Sequence, residues 1–219
     1  MRTLRSILFI FIVIMLAMNS GCKEAEPQEW SYDFTDKTDD SEWHLDPEYT
    51  GTHEVVFGQG LILNGPYLVT PVAFTGDFTM KVDFTVDVVN DTGIFFTFTI
   101  ADEQDWEADN YIYACLDSIG WSGHEEWVVC EKGGGTTDYP ISQTQINIPF
   151  LDREGPNSFE IVKVGNSYEF FMNGETIGNF NSKYCRGSQY YLKLHCAALL
   201  GGGIVYFKDV LVSCTGSII

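Results

Sequence analysis

The amino-acid sequence predicts an all-β chain folded as a two-sheet antiparallel β-sandwich. Three observations carry that expectation. Helical periodicity is nearly absent, while apolar and polar residues alternate with period two. The alternating runs are short and bounded by Gly, Asn and Asp clusters, the residues that turns demand. Aromatic residues make up 15% of the 219 and apolar residues 45%, with 21 glycines against 7 prolines. A chain so rich in rings builds a packed core and is no disordered tail.

The elements follow in order. Asp77 to Asp87 alternates most plainly: Phe78, Met80, Val82, Phe84 and Val86 share one face, and Thr79, Lys81, Asp83 and Thr85 the other. That is a half-buried antiparallel strand. Asn90-Asp91-Thr92-Gly93 is a turn, and Ile94 to Ile100 the next strand. Two more strands are expected over 110–117 and 127–131, around a turn at 120–123. Phe159 to Val164 and Tyr168 to Met172 form a hairpin closed by Gly165-Asn166, and Asn173-Gly174 opens a further turn of that chemistry. Tyr190 to Ala197 and Ile204 to Val212 complete the sandwich. No internal repeat or long linker divides the chain, so residues 30–219 are read as one domain.

Charge narrows the partners. With 31 acidic against 12 basic side chains the formal net charge is -19. That excludes nucleic acid, whose binding needs Lys and Arg to neutralise phosphates. It also excludes a basic patch held to anionic lipid. Six cysteines are too few for a disulfide-only scaffold. Arg2 and Arg5 followed by the apolar run Ile7 to Met18 have the form of a secretory signal, too short for the roughly 20 residues that span a bilayer. Its end, Ser20-Gly21-Cys22 with Asn19 before it, resembles the lipobox of bacterial lipoproteins, in which Leu is customary at the Asn19 position. The resemblance implies removal of residues 1–21 and acylation of Cys22. Residues 22–29 then form a polar tether, and the protein sits in the cell envelope, lipid-anchored to a bacterial membrane, at the outer membrane or cell surface. Without Arg2 and Arg5 the charge becomes about -21 by the same counting.

Several runs resemble concanavalin A-like lectin/glucanase domains, including their laminin G-like relatives. Gly76-Asp77-Phe78-Thr79-Met80-Lys81-Val82-Asp83-Phe84 is similar to a characteristic strand start of that family. Thr92-Gly93-Ile94-Phe95-Phe96 followed by Asp109-Asn110-Tyr111-Ile112-Tyr113 is similar to its next strand pair. Phe159 to Asn166 with Phe170 to Gly174 resembles its hairpin, and Tyr206-Phe207-Lys208-Asp209-Val210 its closing strand. The resemblance implies a jelly roll. Sugar binding, glycan hydrolysis and protein adhesion all occur on that fold, which does not choose among them.

The candidate chemistry centres on Asp102 to Asn110. Glu103-x-Asp105-x-Glu107 matches the motif of laminarinase and lichenase-type glucanases. That resemblance implies Glu103 as nucleophile, Glu107 as acid/base and Asp105 between them. Retaining hydrolysis brings the two carboxyls to about 5–5.5 Å, whereas residues four apart on a strand stand about 13 Å apart. The strand pattern places this motif in a connection, where an acidic solvated loop is the alternative. Asp102, Asp105, Asp109 and Asn110 could instead supply oxygen ligands to calcium. For carbohydrate, flat aromatic rings beside polar groups are needed. Trp106 and Trp121 flank the strand that carries Tyr111 and Tyr113, and His195 alternates with Lys193 and Tyr191. The expected function is non-catalytic carbohydrate binding through Trp106, Trp121, Tyr111, Tyr113 and His195. The alternatives are hydrolysis and protein adhesion. The four histidines show no zinc-ligand spacing. Cys115 and Cys130 are symmetric about Ser122-Gly123 and could face one another as a disulfide, leaving three further cysteines beyond Cys22.

Overall fold

The computed structural model describes residues 26–45, 51–88, 93–104, 108–119, 124–144, 148–198 and 203–219. In chain order the strands are β1 (Gln28–Asp33), β2 (His44–Leu45), β3 (Thr52–Val56), β4 (Gly60–Asn64), β5 (Tyr67–Val69), β6 (Phe74–Thr75), β7 (Phe78–Val88) and β8 (Ile94–Ala101). Then follow β9 (Tyr111–Ile119), β10 (Glu126–Gly133), β11 (Thr136–Thr144), β12 (Pro156–Val164), β13 (Ser167–Met172), β14 (Glu175–Asn181), β15 (Gln189–Ala198) and β16 (Gly203–Cys214). The first sheet runs β14-β13-β12-β7-β16-β4-β3, with β1 also on β16. The second runs β11-β10-β9-β8-β15-β5-β2, with β6 also on β15. Every pairing is antiparallel.

The core lies between the sheets because alternation turns one side of each strand inward. Phe78, Met80, Val82, Phe84 and Val86 of β7 are all buried, as their period predicts. Facing them from the second sheet are Ile94, Phe96, Phe98 and Ile100 of β8, Trp127 of β10 and Leu192 and Leu194 of β15. The rings interlock across the layer. Phe98 stacks on Phe159 with centroids 4.3 Å apart, and Trp127 meets Phe159 and Phe170 edge-on at 5.8 and 5.7 Å. Such pairs add about 0.5–1.5 kcal/mol each beyond their burial.

Turn chemistry closes the hairpins. Asn173 and Gly174 both have positive φ, 53° and 83°, as a type I′ turn requires. The Asn173 side chain accepts from Ser158 N at 2.8 Å and donates to Phe150 O at 2.7 Å, so this turn also fixes the loop before β12. A second anchor is Glu131, buried beyond a bulge in β10. It accepts from the Ser182 hydroxyl and from the amides of Lys183, Tyr184 and Cys185. Burial alone would raise its carboxyl pKa, but the donors, led by the Lys183 amide and the Ser182 hydroxyl, outweigh it and hold it below the usual range.

Two edge strands and the N-terminal strands were not legible as strands in the sequence. β11 (TTDYPISQT) holds Pro140 and mostly polar residues, and it lies at one edge of the second sheet. An edge is where a sheet tolerates a missing amide and a solvated side. β14 (ETIGNFN) ends the first sheet for the same reason.

Candidate functional site

The side of the second sheet that faces away from the core carries the candidate site. Register defines its rows. Across one row lie Val69, Lys193, Thr99, Tyr113 and Cys130. The next contains Tyr67, His195, Thr97, Cys115 and Val128. On the other flank run Tyr191, Ala101, Tyr111 and Lys132. Alternation put these side chains on one surface, and pairing of β5, β15, β8, β9 and β10 brought them together.

Much of this surface is covered. Thr97 is 0%, Thr99 5%, Lys193 1% and His195 7% exposed. Tyr67 stacks flat on the His195 ring at 4.1 Å, and Phe95 meets the same imidazole edge-on at 5.5 Å. Burial between these rings pushes the imidazole pKa down to about 4, against a smaller opposing contribution from a hydrogen bond with the Gly65 backbone. His195 is therefore neutral at pH 7. A neutral imidazole sandwiched by aromatics supports the wall of a site and is no cation there.

Beside that wall opens a cavity of about 440 Å³, within the roughly 300–1,000 Å³ of small-molecule clefts. Tyr67, Tyr111 and Tyr113 supply aromatic surface, and Lys132, Lys193 and Thr99 the polar groups. The Lys132 ammonium sits 5.4 Å from the centre of the Tyr111 ring, a cation–π distance that orients both. The Thr99 hydroxyl is buried with no hydrogen-bond partner among the described residues. Gly133, just past Lys132, is required by close approach: a Cβ there would run into Tyr184 and come within 2.7 Å of Asn110 Oδ1.

The predicted site residues divide. Tyr111 and Tyr113 line the cavity, and His195 lies in the adjoining row against Tyr67. Trp106, Trp121, Asp105, Glu107 and Cys22 lie outside the described residues. Glu103 lies past the end of β8, exposed in the connection to β9. Asp102 and Asn110 bond to each other: Asn110 Nδ2 donates to Asp102 Oδ2 at 2.8 Å and closes the neck of that connection. Asp109 is exposed. No group of three or more His, Cys, Asp or Glu that could hold a metal ion occurs among the described residues.

The possible Cys115–Cys130 disulfide requires correction. All five described cysteines are free and buried. Register sets Cys115 opposite Val128 and Cys130 opposite Tyr113. The hairpin is centred between residues 121 and 122 rather than 122 and 123, since Asp117 pairs with Glu126. A turn centre displaced by one residue moves the partner by two. Burial, first among several influences, raises the Cys115 thiol well above its ordinary pKa, so it is an inert small hydrophobe.

Sequence reasoning missed Tyr67, Thr99 and Lys132. Lys132 was within reach, because the parity of Val128 and Cys130 continues to it. Tyr67 sits on a three-residue strand, too short for any period to show.

No family model and no curated protein matches this chain. Among solved structures it is similar to the potassium-bound carbohydrate recognition domain of Emp46p, at 12% identity and a TM-score of 0.64, covering 86% of this chain and 97% of that one. It is similar to SCLam, a non-specific endo-β-1,3(4)-glucanase from family GH16, at 12% identity and TM-score 0.64, covering 88% and 92%. The third is the CBM2 module of the evolved Dit from Lactobacillus casei BL23 phage J-1, at 11% identity and TM-score 0.63, covering 86% and 96%. At such identities the likeness speaks for architecture: this chain has the jelly-roll sandwich that these proteins share.

Proposed function

We propose that the protein is a cell-envelope lipoprotein that binds carbohydrate without cleaving it, through the outward face of its second sheet. The single observation behind the reading is the cavity of about 440 Å³ walled by Tyr67, Tyr111 and Tyr113 with lysine and threonine donors beside them. Aromatic rings cover the apolar faces of a pyranose, and polar groups at their edges meet its hydroxyls. Trp106 and Trp121, in the connections on either side of β9, would extend that surface. Carbohydrate recognition by two of the structural neighbours, a recognition domain and a carbohydrate-binding module, favours the same reading. Acylated Cys22 would hold the domain at the outer membrane or cell surface, two or more acyl chains being needed for stable anchoring.

The glucanase among the neighbours keeps a hydrolytic reading in play, with Glu103 and Glu107 as its carboxylates. Glu103 is exposed beyond β8, a position that favours binding over catalysis. The test is a glycan screen of the full-length protein in a sugar-free detergent, with calcium and with a chelator. Binding to one sugar class, reduced at least tenfold by Tyr111→Ala, is expected. A silent screen contradicts the reading and points to a protein partner. Release of reducing ends, abolished by Glu103→Gln, would replace it with hydrolysis.

A further inference from the structure

We infer that the sugar held in this cavity is anionic, carrying a carboxylate or a sulfate ester; the inference rests on the carbohydrate reading of the site. The chain has 31 acidic side chains against 12 basic ones. Yet Lys132 and Lys193 face one cavity, and no carboxylate lines it among the described residues. The lining is also rich in donors. An ammonium only donates hydrogen bonds, while phenols and the Thr99 hydroxyl both give and take. Among the described residues, no carboxylate or carboxamide, acceptors that would take protons from the hydroxyls of a neutral sugar, belongs to that lining.

A ligand rich in acceptors is the complement. A carboxylate or sulfate presents several lone pairs and forms charge-assisted bonds with ammonium groups, about twice as strong as neutral ones. Lys132 is exposed at the mouth and held over the Tyr111 ring, so a sugar lying on that ring would bring its anionic group to the ammonium. Lys193 and the buried Thr99 hydroxyl lie deeper, one strand pairing apart. The acidic remainder of the molecule repels anions at long range, which makes two lysines gathered at one cavity a local exception.

Isothermal titration of the full-length protein decides it. The probes are oligogalacturonate, alginate oligosaccharide and sulfated galactan oligosaccharide, each beside its carboxyl-reduced or desulfated counterpart. The charged member of at least one pair should bind tenfold or more tightly than its neutral twin. That preference should collapse in Lys132→Gln and persist in Lys183→Gln, an exposed lysine paired with Asp138 outside the cavity. It should also shrink as salt rises from about 0.1 to about 1 M, where the Debye length falls from about 10 to about 3 Å. Equal binding of twins, or binding confined to neutral glycans, overturns the anionic assignment and leaves carbohydrate binding intact. Binding to no glycan, charged or neutral, overturns both.

Discussion

On β7 the side chains that point away from the core, Thr79, Lys81, Asp83 and Thr85, are partly solvated. On β8 and β15 the residues in the equivalent outward position, Thr97, Thr99, Lys193 and His195, are buried. Both sheets are amphipathic in their inward alternation, so the difference arises on the outside. Tyr67, Phe95 and the imidazole pack together over the second sheet, while nothing comparable covers the described outward residues of β7. The charges diverge too. Asp33, Asp83 and Asp209 gather with Lys81 around a shallow depression on the first sheet, whereas the charged side chains among the described lining of the cavity on the second are Lys132 and Lys193.

The strongest way to break this comparison is to place one charge on each face. Thr97→Lys should destabilise the fold by more than about 4 kcal/mol, because it buries an ammonium where no room exists. Thr85→Lys on the first sheet should stay within about 0.5 kcal/mol, as surface changes do. Urea denaturation of both variants measures the contrast, and equal losses would erase it. Next in size is Glu131→Gln, which replaces an acceptor-only carboxylate with an amide that points a donor at the amides of residues 183–185. A loss of about 3 kcal/mol is expected. Because the native carboxyl pKa is depressed, its contribution should be full above the ordinary carboxylate range and fade as pH falls through the native value.

His195 gives a second pH signature, of the same sense but in a higher window. Its folded-state pKa of about 4 lies below the ordinary 6.5, so the unfolded chain takes up the proton first. Stability should be unaffected above pH 7, decline between about 6.5 and about 4 by at most about 3 kcal/mol, and then level off. His195→Phe should remove that part of the acid sensitivity, and an unchanged profile would put the cause elsewhere. A smaller effect sharpens the hydroxyl assignment. Thr97→Val should be neutral or stabilising by about 1 kcal/mol, since it deletes a buried hydroxyl with no partner among the described residues. Thr99→Val should behave likewise in stability while weakening ligand binding. A clear loss of stability in either would mean the hydroxyl is satisfied.

How much of this was legible in the sequence depends on the kind of signal. Eight strands followed from period two because their inward residues are large and apolar, as in β7 and β15. Edge strands β11 and β14 carry no such stripe, and short strands such as β5 are below the length at which a period exists. The lining of the candidate cavity was half legible. Tyr111 and Tyr113 share a strand and a parity, so one alternation found both. Lys132, Thr99 and Tyr67 join them only through cross-strand register, which no single stretch of chain encodes. The cysteine pairing failed for the same reason, through a turn centre misplaced by one residue.

On the proposed reading the second sheet's outward face is the ligand surface and the first sheet's is not. Titrating the glycan selected by screening against two single variants tests it most directly. Tyr111→Ala should weaken binding at least tenfold, about 1.4 kcal/mol or more, and Lys81→Ala should leave it unchanged. The reverse pattern, full affinity in Tyr111→Ala and loss in Lys81→Ala, would contradict the account and move the site to the other face.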